Sequence, residues 1–121
     1  MEQNLYIIGD LVQYQDTIYH IAGFRIDYRN NYIYSIEYDG SSIEIKGDYL
    51  TPIPLTPKIL EKNGWEKDDR GYSIKDLIFL NKNGLGGWSV GIWDEFIVTI
   101  SYVYQLQHLL FGLGLDSNIK L

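Results

Sequence analysis

The sequence predicts an α+β fold, with an SH3-like small β-barrel over residues 1–55 and an α+β half over residues 56–121. Short alternating segments separated by tight turns fill the first half. A capped helical segment follows, and the second half then combines a small antiparallel sheet with a C-terminal amphipathic helix. We expect the two halves to pack as one compact unit, because no flexible linker separates them.

Five segments of the first half have strand character, at 10–14, 17–28, 32–38, 43–46 and 51–54. Gly23 lies inside the long second segment and predicts a β-bulge there. Polar dipeptides between the segments favour tight hairpin turns. A helical turn precedes the last segment, in which two prolines exclude a central strand. A long bent strand and a helical turn before the last strand are typical of small SH3-like barrels.

The second half contains two predicted helices, at 57–63 and 101–113. Thr56 is suited to cap the first helix, and Gly64 to end it in a left-handed conformation. Ser101 is the candidate cap of the second helix. The predicted core includes all three tryptophans, Trp65, Trp88 and Trp93.

The C-terminal helix carries polar side chains beside an apolar stripe. The predicted buried stripe is Val103, Leu106, Leu110 and Leu113. Gln105, Gln107 and His108 lie off this stripe. We interpret them as solvated or capping helix residues, because glutamine forms helices well and its amide commonly satisfies neighbouring backbone groups.

The residue inventory argues against an enzyme. Cysteine is absent, which excludes disulfides, thiolate nucleophiles and cysteine zinc sites. The chain has two histidines, His20 and His108, but no serine lies in the elbow motif of a catalytic nucleophile. Asp94 and Glu95 would face opposite ways in an extended strand, a poor geometry for joint acid–base work. We therefore expect no catalytic residues, no metal and no cofactor.

Charge and hydropathy restrict the partners. The net charge of −6 is unfavourable for binding a nucleic-acid backbone, which requires clustered lysine and arginine. Residues 1–55 hold eight acidic and three basic residues, and eight of the eleven tyrosines. No apolar run approaches the roughly 18 residues of a membrane span. The N-terminus shows no signal peptide. We expect a cytoplasmic protein with no membrane partner.

The acidic, tyrosine-rich first half suggests a surface for a protein partner. The candidate contact residues are Tyr14, Tyr19, Asp27, Tyr28, Tyr32, Tyr34 and Glu37. The first hypothesis is therefore a non-enzymatic protein-interaction module. A structural explanation stays open, because tyrosine suits strands and acidic residues keep a small barrel in solution.

Two stretches, "LTPIPLTPKILEKNGWEK" (50–67) and "YVYQLQHLLFGLGL" (102–115), resemble a family of small proteins from Bacteroidetes bacteria and their phages. The resemblance covers about half of the chain. Family members usually carry histidine where this chain has Tyr104, so a catalytic role of that histidine would be lost here. The resemblance implies an origin in a gut bacterium or its phage, and hence the cytoplasm of the bacterial host.

The phage resemblance suggests an alternative of another class. In it, the chain is an anti-defence protein that blocks a host factor or sequesters a nucleotide signal. Its candidate phosphate contacts are Arg25, Arg29, Gly84, Gly86 and Gly87. Phe111 and Leu115 leave a homo-oligomer open as well.

Overall fold

The computed structural model describes residues 5–93 and 95–121, and Asp94, expected to face away from Glu95, lies outside the described residues. The chain forms two compact units that divide between Ile53 and Pro54. Each unit is built on one five-stranded antiparallel sheet, and the second unit adds two α-helices. The predicted α+β class is confirmed.

The first unit is a meander of four strands followed by a short fifth strand. The strands are β1 (Leu11–Tyr14), β2 (Thr17–Ile26), β3 (Tyr32–Tyr38), β4 (Ser41–Lys46) and β5 (Thr51–Pro52). Their order in the sheet is β4-β3-β2-β1-β5, and a 3₁₀ turn, Gly47–Tyr49, precedes β5. Among the described residues no ladder joins β4 to β5, so the closed barrel predicted here stays a prediction.

The hairpin turns follow from residues that tolerate positive φ. Gln15 and Asp16 join β1 to β2 with φ of 48° and 66°. Asp39 and Gly40 join β3 to β4 with φ of 49° and 82°. Two successive residues with positive φ match the right-handed twist of the flanking strands, which explains these tight two-residue turns.

A β-bulge interrupts β2 at the predicted place. The register against β3 shifts between Ile21 and Gly23, so Ala22 is an extra residue without a direct partner. Side chains of a strand alternate between the two faces, and one extra residue reverses that alternation. Phe24 and Ile26 therefore share the face of Ile21, although an unbroken strand would place them on the other face.

The second unit consists of a helix, a five-stranded meander and a second helix. Its elements are α1 (Pro57–Lys62), β6 (Glu66–Asp68), β7 (Gly71–Ile74), β8 (Ile78–Lys82), β9 (Trp88–Ile92), β10 (Glu95–Ile100) and α2 (Val103–Gly112). The sheet order is β10-β9-β8-β7-β6. In the described part of the chain, neither helix has the length and apolar character needed to cross a membrane.

Helix α1 begins and ends as predicted. The Thr56 hydroxyl accepts a hydrogen bond from the Ile59 backbone amide at 3.3 Å, which satisfies one free donor of the first turn. Pro57 occupies the first helical position, where its missing N–H costs nothing. Gly64 has a φ of 83° and continues the chain in the left-handed conformation.

Two of the three tryptophans lie in the core. Trp65 and Trp88 are buried, and the Trp88 indole nitrogen donates to the Leu55 carbonyl at 3.0 Å. The prediction for Trp93 is wrong, since its side chain is 80% exposed. Trp93 follows the last residue of β9 and has a φ of 58°, so it belongs to the turn toward β10 rather than to a core-facing strand position.

Helix α2 differs from the prediction at both ends. The cap residue is Tyr102 rather than Ser101. The Gln105 side-chain oxygen accepts the backbone amides of Ser101 at 2.7 Å and Tyr102 at 3.0 Å. Leu113 is exposed rather than buried, because the helix ends before it at Gly112.

The other two polar residues of α2 have packing roles. Gln107 is only 5% exposed, so its predicted solvated position is wrong. Its side-chain amide donates to the Ser117 carbonyl at 3.2 Å, which fixes the C-terminal segment against the helix. The His108 ring packs edge-on against Tyr104 at 5.4 Å between centroids. All three polar residues thus have structural partners.

The Gln105 capping bonds can be tested by substitution. We expect Gln105→Ala to lower the free energy of unfolding by about 1 kcal/mol, because two amides at the helix start lose their acceptor. Gln105→Glu keeps a side-chain acceptor at the positive end of the helix dipole and should retain most of the stability. Urea unfolding measures both variants. Equal stability of Gln105→Ala and the wild type would contradict the capping role.

Candidate functional site

Apolar side chains are exposed together on the β2–β3 hairpin. Phe24 and Ile26 are each more than half exposed, and Tyr28 at the hairpin tip is 88% exposed. Ile26 lies directly opposite Tyr32 on β3, so the two side chains share one face. We call Phe24, Ile26, Tyr28 and Tyr32 the hairpin patch. Natural monomers rarely expose such clusters without using them.

The predicted contact residues Tyr14 and Tyr19 lie on the same face of the sheet, on β1 and the first part of β2. Both are half-buried, and their rings are 6.3 Å apart. Tyr19 also packs edge-on against Tyr38 at 6.0 Å. The tyrosines therefore form a row along one face, and the hairpin patch is its most exposed part.

Tyr34 does not fit the predicted role. Its side chain is 1% exposed, and its hydroxyl accepts the Tyr6 backbone amide at 3.2 Å. The Tyr6 and Tyr34 rings pack edge-on at 5.4 Å. Burial raises the pKa of the Tyr34 hydroxyl. Tyr34 is a core residue that supports Phe24, its partner across the strands, and it offers no surface to another protein.

Glu37 is also separated from the tyrosines. It lies between Ile36 and Tyr38 on β3, so alternation places it on the opposite face of the sheet. Glu37 lies opposite His20, and its carboxylate oxygen is 3.9 Å from the histidine Nε2. A partner bound to the hairpin patch would cover one face of the sheet, whereas Glu37 lies on the other face.

Asp27 shapes the tip of the hairpin. One carboxylate oxygen accepts the backbone amides of Arg29 at 2.8 Å and Asn31 at 2.9 Å. The Asn31 side chain donates to the other oxygen at 3.3 Å. The backbone amide of Asn31 is the main reason that the pKa of Asp27 lies below its ordinary value. Asp27 thus positions Tyr28, besides adding negative charge next to it.

The two arginines proposed as phosphate contacts already have partners. The Arg25 Nε donates to Glu44 at 3.0 Å, an exposed pair on the face of Glu37. This hydrogen bond holds the pKa of Glu44 below its ordinary value. The Arg29 guanidinium lies over the Tyr28 ring at 5.3 Å, a cation–π contact that orients the ring.

The glycine turn of the second unit is not an open cradle for phosphate. The Asn83 side-chain oxygen accepts the amides of Leu85 at 2.9 Å and Gly87 at 3.0 Å. The backbone amide of Asn83 in turn donates to the Gly87 carbonyl at 2.9 Å. Gly84 and Gly86 complete this internally bonded turn, which joins β8 to β9. Two backbone amides of the turn are therefore already engaged by the Asn83 side chain, which leaves fewer donors for a phosphate.

Sequence reasoning missed a groove in the second unit. Its volume is about 270 Å³. It is lined by Asp68, Arg70, Gly71, Tyr72, Phe79, Asn81, Ser89, Val90, Gly91, Glu95 and Phe96. These residues come from five strands and one turn, so only the sheet register brings them together. One sign of the groove was present in the sequence: Gly91 is the only residue without a side chain in β9, so it leaves a gap on the face of the sheet.

The described residues include no group of three or more histidine, aspartate and glutamate side chains placed to hold a metal ion. Comparison with protein-family profiles, with curated proteins and with solved structures finds no match to this chain. The function must therefore be argued from the surfaces of the chain itself.

The Asp27 hydrogen bonds predict a pH dependence. Because the pKa of Asp27 is lowered in the folded chain, its stabilising contribution is present above the unfolded value of about 3.9 and is lost as the pH falls through the folded value. We expect Asp27→Asn to be less stable than the wild type near neutral pH, with a difference that shrinks in acid.

Urea unfolding of both proteins across an acid pH series measures this difference. Ser42→Ala, a neutral change at an exposed position of β4, is the control. Its free energy of unfolding should change with pH in the same way as that of the wild type. A constant gap between Asp27→Asn and the wild type at every pH would show that the carboxylate bonds do not stabilise the hairpin.

Proposed function

We propose that this chain is a non-enzymatic protein-binding module whose contact surface is the hairpin patch. In this proposal the first unit is an SH3-like barrel. Three features support that assignment: the strand order β4-β3-β2-β1-β5, the 3₁₀ turn before β5, and the long β2 bent at its bulge. Barrels of this kind commonly present aromatic side chains to peptides and proteins.

The exposure of the hairpin patch is the single observation that carries the proposal. Phe24 and Ile26 are exposed on one face of β2, and Tyr28 is exposed at the hairpin tip. The buried Tyr34 lies beside Phe24 on β3 and gives it a rigid support. The Phe24 and Tyr34 rings are 6.2 Å apart. Burying one such aromatic side chain in an interface contributes about 1.5–3 kcal/mol. Rigid aromatic residues are common anchors, because they lose little conformational freedom on binding.

The charge of the first half favours a partner with basic residues around the contact. Residues 1–55 carry five of the six net negative charges. Such a field speeds encounter with a positively charged surface, and salt weakens the effect. The proposed partner is therefore a protein that places an apolar site within a basic rim.

Capture with matched variants tests the proposal. A tagged full-length chain is used as bait in a bacterial lysate, beside the double variant Phe24→Ser/Tyr28→Ser. The control is Leu85→Ser, which removes an exposed apolar side chain from the second unit. We expect a stoichiometric partner to bind the wild type and the control, to elute at high salt, and to be reduced at least tenfold with the double variant.

Thermal melting must show that all three baits are folded. Equal capture by the double variant and the wild type would refute the hairpin patch as the contact surface. A phage protein that blocks a host factor would use the same surface, and the captured protein would then be a host defence component. Sequestering of a nucleotide has weaker support, because the Leu85 and Gly87 amides of the turn already donate to the Asn83 side chain.

A further inference from the structure

We propose that the free edge of β4 pairs with the same edge of a second copy of this chain, so that two first units share one continuous antiparallel sheet. β4 lies at the end of the first sheet, and its six residues pair with β3 in a regular register. No ladder covers its outer side among the residues that the structure describes. The outward backbone N–H and C=O groups of β4 are therefore available to another strand. The pairing uses none of the four hairpin-patch residues.

In the described part of the chain, the three other sheet edges are protected against pairing. β5 has only two residues, and its Pro52 lacks a backbone N–H. β6 has three residues, and all of them are charged. β10 carries the bulge at Ile97, and beyond its end the Ser101 carbonyl already accepts the Leu55 amide at 3.0 Å. β4 has neither a proline nor a bulge, so it is the edge best suited to pair with another strand.

The charges of β4 select a second copy as the partner. Glu44 and Lys46 are exposed and lie two positions apart, on the same face of the sheet. Two identical antiparallel strands are related by a two-fold axis perpendicular to the sheet, so residues of the same face lie opposite each other. With Ile45 of each copy at the axis, Glu44 of one copy lies opposite Lys46 of the other, and this contact occurs twice. Opposite charges that face each other across two strands stabilise the pair.

Neighbouring registers are less favourable. An axis centred on Glu44 places two carboxylates opposite each other, and an axis centred on Lys46 does the same with two ammonium groups. An axis centred on Ile43 places each Glu44 opposite Ser42, so neither charge faces a counter-charge. Among these registers, the one centred on Ile45 alone pairs both charges.

The aromatic face of the first sheet continues across the proposed pair. Phe24, Tyr34 and Ile45 lie next to one another across β2, β3 and β4. Ile45 is half-buried, so part of its side chain is open to a further contact. The Ile45 side chain of the second copy would lie beside it and extend this row. Each Ile43, which is 42% exposed, would lie opposite Gly47 of the other copy, where no side chain obstructs it.

The exposed ion pair next to the edge positions one of the contact groups. Arg25 Nε donates to the Glu44 carboxylate at 3.0 Å, from two strands away. An ionised carboxylate offers about four acceptor sites. Glu44 can therefore accept a hydrogen bond from Lys46 of the second copy without releasing Arg25.

Analytical ultracentrifugation of the full-length chain across a concentration series tests the pairing, at low salt because salt screens exposed charges. We expect a monomer–dimer equilibrium for the wild type. Glu44→Lys and Lys46→Glu each place like charges opposite each other and should raise the dissociation constant about tenfold. An equimolar mixture of these two variants restores opposite charges at both contacts. The mixture should therefore form a heterodimer with an affinity close to that of the wild-type dimer.

Lys58→Glu makes the same charge change at an exposed position of α1, so it is the control and should dimerise like the wild type. Thermal melting must show that every variant is folded. In the ¹⁵N-labelled wild type, dilution should shift the amide signals of β4 but not those of β10. A wild type that stays monomeric at millimolar concentration would overturn the second copy as the partner. A dimer that both single variants leave unchanged, or a mixture of them that stays monomeric, would overturn the pairing of β4 edges.

Discussion

Successive side chains of a strand point to opposite faces of the sheet, and in β2 the extra residue Ala22 reverses this alternation halfway along the strand. Before the bulge, Tyr19 and Ile21 share the tyrosine-bearing face. After it, Phe24 and Ile26 join them, and Arg25 goes to the face that carries Glu44. Without the bulge, the arginine would point toward the tyrosines and the apolar residues would point away.

This reversal explains why one face of the first sheet is aromatic and the other is charged. On the charged face, the Arg25–Glu44 and His20–Glu37 pairs are exposed, and such pairs add little stability. On the aromatic face, the buried Tyr34 supports the exposed Phe24. The surface proposed for binding is thus an extension of the core that emerges where the β2–β3 hairpin projects into solvent.

A β-bulge also sets the direction of an aromatic side chain in the second sheet. There a bulge at Ile97 directs Phe96, and Gly91 leaves a gap between two aromatic side chains. The buried faces of β8 and β9, with Leu80 and Val90, anchor these strands against the core. The strands that form the open groove are therefore packed against the core on their other face. This favours a groove that is already formed before a ligand binds.

Local patterns predicted most elements of this fold. The strand segments, the helix start at Thr56 and the bulge near Gly23 each follow from a few neighbouring residues, and the structure contains all of them. Properties set by distant contacts could not be predicted in this way. Tyr34 is buried because Tyr6 covers it, and Trp93 is exposed because β9 ends one residue earlier.

The candidate surfaces were predictable only in part. Tyrosine content indicated the aromatic face, to which Tyr32 belongs, and Tyr28 is exposed at the hairpin tip. Alternation along β3 already separates Glu37 from Tyr32. The face on which Phe24 lies was not predictable, because it depends on which residue of the bulge is the extra one. The groove was not predictable, since Phe79 and Phe96 are neighbours only through the register of three strands.

Nuclear Overhauser spectroscopy of the full chain tests the central claim, that the bulge at Ala22 gathers the apolar side chains on one face. The account predicts cross-peaks between the Phe24 and Tyr34 rings and between the Ile26 methyl groups and the Tyr32 ring, together with contacts between Arg25 and Glu44. Cross-peaks from Phe24 to Glu44 or Lys46, with Arg25 against the tyrosine rings, would show that the alternation is not reversed and would contradict the account.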